Sequence, residues 1–175
     1  MSFTEGAVVA AIVFVAALLQ VTLFASMDVA GGVADVLLLA LLSIALLRGP
    51  AVGATAGFFG GLLVDVLTLD TLGVTALLYS LAGYWAGRYG ETTGRDRAHA
   101  PLLAVLVATI AIAYAGYGLH FLLGEELSAR RALFETLLPT LVLNLAVARP
   151  VFALCRAALG RSAVNDRVTE VKLLG

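Results

Sequence analysis

Apolar residues fall along this chain in six long runs separated by short polar breaks. The first covers residues 7–25 and ends at Ser26, Asp28 and the Gly31-Gly32 pair. The second covers 33–47 and stops at Arg48-Gly49-Pro50, and the third covers 51–67. Asp70 and Thr71 mark the next turn, before a fourth run over 72–87. The most polar stretch, RYGETTGRDRAH, occupies residues 88–99. The fifth run, 101–123, opens on Pro101, which suits a first helical turn because its missing N–H has no partner to lose there. A charged loop with Glu125, Glu126, Arg130 and Arg131 precedes the sixth run, 133–154, and a polar tail over 155–175 closes the chain. Strands of a membrane barrel alternate apolar and polar residues over about ten positions. These runs are longer and apolar on all sides. The pattern predicts an all-α, polytopic membrane protein of one domain, a bundle of six transmembrane helices. The middle runs are short, and a re-entrant hairpin at Asp70 is an alternative for that region.

Composition agrees with lipid as the solvent. Hydrophobic residues make up 61% of the 175 positions and charged residues only 13%, where an average protein carries about a quarter charged. Six spans of about 20 residues use roughly 120 positions, which leaves no room for a soluble domain. The apolar stretch from Ala7 to Phe24, followed by Ala25 and Ser26, has the outline of a secretion signal. Its leader holds Glu5 and no Lys or Arg, so it reads as the first span. A net charge of -1 gives no basic footprint for nucleic acid. Cys155 is the single cysteine, so an intrachain disulfide is excluded.

Charge also predicts an orientation, because basic residues accumulate in cytoplasmic loops. With six spans, nine of the eleven Lys and Arg residues share one side with both termini: Arg48, Arg88, Arg95, Arg97, Arg149, Arg156, Arg161, Arg167 and Lys172. Only Arg130 and Arg131 fall on the other side, beside Glu125, Glu126 and Glu135. Both termini are therefore expected in the cytoplasm. Five spans would split the basic residues and fit worse.

The third span carries the strongest local pattern. Gly49, Gly53, Gly57 and Gly61 recur every four residues, Asp65 continues the row, and the fourth span adds Gly83 and Gly87. Residues four apart share a helix face, and a glycine row lets another backbone approach closely in lipid. Two uses are open to the row: packing against another span of the same chain, the commoner one, and docking a second membrane protein. Ionisable groups inside a membrane are functional candidates by default. Asp35 sits in a first helical turn, where capping of free N–H groups is the favoured role. Asp65 could serve a structural hydrogen bond or a partner or ligand contact. Gln20, Asp35, Asp65 and His120 should share a depth on the non-cytoplasmic side and could line one polar pocket. No metal-ligand spacing accompanies them. Arg48 and Pro50 form a cytoplasmic turn, Asn144 a helix–helix hydrogen bond, and Arg149 should snorkel to the cytoplasmic face. Motifs for a serine hydrolase, a zinc protease or a phosphate-binding loop are absent from the sequence.

The block from Asp35 to Arg88 resembles the MreD family of rod shape-determining membrane proteins. The likeness rests on Asp35 opening the second span, the Arg48-Gly49-Pro50 turn, the Gly-rich stretch from Gly53 to Gly61, Asp65, Gly73, and Gly83-Tyr84 with Gly87. The family often has Pro before the Asp, where this chain has Ala34. The resemblance implies a six-helix fold similar to the S components of energy-coupling-factor transporters, no catalytic activity and no cofactor. It also implies a place in the bacterial plasma membrane within the wall-elongation machinery. There the partners would be an MreC-like protein, the RodA glycosyltransferase, a class-B penicillin-binding transpeptidase and MreB filaments. Two rivals have different chemistry: a vitamin-binding S component, and a small intramembrane enzyme using Asp35 and Asp65 together.

Overall fold

The computed structural model describes residues 3–22, 31–93, 99–122 and 136–173, without the side chains of Phe3, Thr93, His120 and residues 161–173. The expected breaks at Ser26 and Asp28, and the loop carrying Glu125, Glu126, Arg130, Arg131 and Glu135, lie outside the described residues. The elements are α1 Phe3–Thr22, α2 Val36–Arg48, α3 Pro50–Thr68, α4 Val74–Thr93, α5 Ala100–Leu122 and α6 Leu137–Leu173. The all-α membrane bundle expected from the apolar runs is what forms. Helices α1, α3, α5 and α6 are long and apolar enough to cross a bilayer. Their outward faces are apolar too: Phe59, Val107, Val142 and Leu154 are each about two-thirds exposed. Such a surface suits lipid and would be an aggregation hazard in water.

Helix α2 differs from the rest. Its 13 residues span about 20 Å, short of a hydrocarbon core of about 30 Å. It can be short because it is the centre of the bundle. Every residue from Leu37 to Leu46 is buried, with α1, α3, α4, α5 and α6 packed around it. A helix apolar on all sides belongs in such a position.

Two boundaries differ most from the sequence reading. Helix α4 runs on past Gly87 through RYGETT to Thr93, where the polar residues suggested a loop. Gly90 explains the extension, since it lies against the backbone of Leu46 on α2. Helix α6 continues through Cys155 into the polar tail, as one helix to Leu173 with Pro150 inside it.

The end of the bundle where α2 stops is held by Arg48. Its guanidinium meets Glu5 of α1 at 2.5 Å and donates to the Leu159 carbonyl of α6 at 3.0 Å. Gly49 follows with φ 96°, a left-handed conformation open to glycine, and Pro50 starts α3.

Candidate functional site

The opposite end of α2 gathers a connected set of polar side chains. The chain enters α2 as an extended segment, residues 32–35, and irregular backbone at this depth needs partners for its N–H groups. Side chains from two helices supply them. Val33 N–H donates to Thr140 Oγ1 at 3.3 Å, Asp35 N–H to Asn144 Oδ1 at 2.8 Å, and Val36 N–H to Gln20 Oε1 at 2.8 Å. Asn144 is fully buried and donates in turn to Thr109 Oγ1 on α5 at 3.1 Å. Gly32 allows this docking, because a Cβ there would collide with Pro139 and Thr140.

Asp35 caps α2. Its Oδ1 accepts from Leu38 N–H at 2.9 Å, and its Oδ2 accepts from the Tyr79 hydroxyl of α4. Asp65 does similar work across a helix boundary. Its Oδ2 accepts from Gly73 N–H at 2.8 Å and Ala76 N–H at 3.4 Å, at the start of α4. A carboxylate at a helix N-terminus is favoured by the dipole and by the free N–H groups. Asp65 is 1% exposed, and its Oδ1 has no hydrogen-bond partner.

The glycine row packs against α4. A Cβ at Gly53 would strike the Gly83 carbonyl, one at Gly57 the Tyr79 carbonyl, and one at Gly61 would lie 2.6 Å from Ala76 Cα. A Cβ at Gly87 would strike Pro50. Each step of four residues along α3 thus meets a matching step along the antiparallel α4, and the two backbones touch. Gly49 requires glycine for its φ. Arg48 and Pro50 sit in the turn expected of them, with Arg48 also bracing α1 and α6.

On its other side α4 packs less closely, against α5. An apolar groove of about 560 Å³ runs there, lined by Leu81, Trp85, Tyr89, Val107 and Ala111 among others. Nearer the start of α2 lies a cavity of about 370 Å³ between α2, α4, α5 and α6, lined by Asp35, Thr109, Tyr117, Thr140 and Asn144 with Leu38, Leu78 and Ile112. Of the residues expected to share a polar pocket, Asp35 lines this cavity. Gln20 is turned to Val36 N–H, and Asp65 lies between α3 and α4. The His120 side chain falls outside the described residues. Tyr79, Thr109 and Thr140 were not singled out in the sequence. Threonine and tyrosine are ordinary in membrane helices, and only their convergence on Asp35 and Asn144 distinguishes these three. Among the described residues no cluster of metal-ligating side chains forms.

No curated protein and no solved structure matches this chain. A family model, that of the rod shape-determining protein MreD, matches residues 1–158. The chain belongs to the MreD family.

Proposed function

We propose that this MreD-family chain acts as a non-catalytic scaffold of the wall-elongation machinery, holding an MreC-like membrane protein next to the peptidoglycan synthases. The observation that carries the reading is the family match over residues 1–158. The internal chemistry supports it. The buried polar groups have structural work: Asp35 and Asp65 cap helices, while Gln20, Asn144 and Thr140 satisfy backbone N–H groups. The glycine row is occupied by α4, so a partner would meet the outward helix faces or the loops.

In this proposal both termini are cytoplasmic. Arg48, Glu5 and Leu159 meet at one end of the bundle, the end to which nine of the eleven basic residues belong by sequence.

The test is co-purification of the full chain with a co-expressed MreC-like protein, together with cell shape after depletion. A stable complex and loss of rod shape are expected. Unchanged shape and no complex would remove the scaffold role.

A further inference from the structure

Among the described residues no side chain fills the cavity beside Asp35. We propose that it is a binding site for a protonated amine carried on a compact apolar body. This goes beyond the scaffold role and stands or falls independently of it.

Three features point to that chemistry. The volume, about 370 Å³, lies within the range of small-molecule sites, about 300–1,000 Å³. The walls divide: Leu38, Leu78 and Ile112 are apolar, while Asp35, Thr109 and Thr140 converge from three helices. Such pockets bind the body of a ligand by apolar contact and fix its orientation with a few polar groups. Asp35 is the one carboxyl group among the described lining residues. Both of its oxygens accept from neutral donors, Leu38 N–H and the Tyr79 hydroxyl. Among the described residues no ion pair reaches it. Each carboxylate oxygen can accept a second hydrogen bond. An ammonium group supplies both the missing donors and the missing charge, whereas an anion would meet the Asp35 carboxylate.

Gly116, on the cavity wall, offers a way to close the site without disturbing Asp35. A Cβ there would meet only Leu78 Cδ1, at an ordinary 3.6 Å.

The test titrates the full chain in nanodiscs with phenethylamine, its neutral counterpart 2-phenylethanol and the anion 3-phenylpropionate, read by saturation-transfer NMR and by the shift in Tm. Saturable binding of phenethylamine alone is expected. Asp35→Asn keeps the helix cap, since Asn caps as well as Asp, and should weaken the amine by about tenfold or more. Gly116→Leu should abolish binding with Tm retained, and it decides the matter if the Asp35 variant fails to fold. Nanodiscs of phosphatidylethanolamine and of phosphatidylcholine, both zwitterionic, distinguish the amine's source. Equal phenethylamine binding in the two supports a free amine on a compact apolar body; weaker apparent binding in the former assigns the site to a lipid headgroup and overturns that part of the proposal. The proposal is overturned if the alcohol binds as tightly as the amine, if Gly116→Leu leaves binding intact, or if no probe binds.

Discussion

Helix α4 presents two unlike faces. Toward α3 it is held backbone to backbone, with Gly83 against Gly53, Tyr79 against Gly57 and Gly87 against Pro50. Toward α5 it packs less closely, leaving the apolar groove at Trp85 and Val107 and the cavity at Asp35. Within a bilayer, association of helices rests on close packing and interhelical hydrogen bonds rather than on the hydrophobic effect. The closed face therefore supplies cohesion, and the open face has room for other molecules. The same helix can do both because Gly83 and Gly87 lie toward α3, while Leu81, Trp85 and Tyr89 lie toward α5.

The sharpest way to break this contrast is to enlarge one residue on each face. Gly57→Leu must push the Tyr79 carbonyl away, and neither backbone can yield. A loss of about 3 kcal/mol or more is expected, seen as little folded protein or a steep fall in Tm in detergent. Next in size is Asp65→Ala, which leaves Gly73 and Ala76 N–H groups without an acceptor. Unsatisfied buried donors cost about 1–3 kcal/mol each. Chemical denaturation followed by circular dichroism should show the loss, and Asp65→Asn should recover part of it because one oxygen remains. Tyr79→Phe removes a single hydrogen bond on the open side while keeping the ring, and about 1–2 kcal/mol is expected by the same measurement. The smallest effect belongs to Ala111→Leu, which adds volume inside the groove. Its stability should stay within about 0.5 kcal/mol. If Ala111→Leu lowered Tm as far as Gly57→Leu, the groove would be as tightly packed as the glycine face and the contrast would be lost.

The Gly53 to Asp65 row could be seen in the sequence because a period of four in glycine is rare and has one physical use, close approach. Asp35 and Asn144 were visible because a charge or an amide inside an apolar run needs a reason. Tyr79, Thr109 and Thr140 carried no such signal. Each is tolerated in a membrane helix without a partner in sequence, and their role exists only where three helices converge. The polar stretch after Gly87 misled for a related reason. Charged residues there looked like a loop, yet Gly90 has α2 beside it and the helix continues.

Bulk apolarity and the spacing of its breaks determined the membrane helices by themselves, since backbone groups in lipid must be satisfied within each segment. The glycine period determined that one face of α3 would meet another backbone. Only the tertiary structure decided that this backbone is α4, and that the shortest helix lies at the centre. It also decided that Asp35 opens onto a cavity while Asp65 is enclosed between two helices. Those choices depend on which helices become neighbours, and no local pattern along one helix records its neighbour's identity.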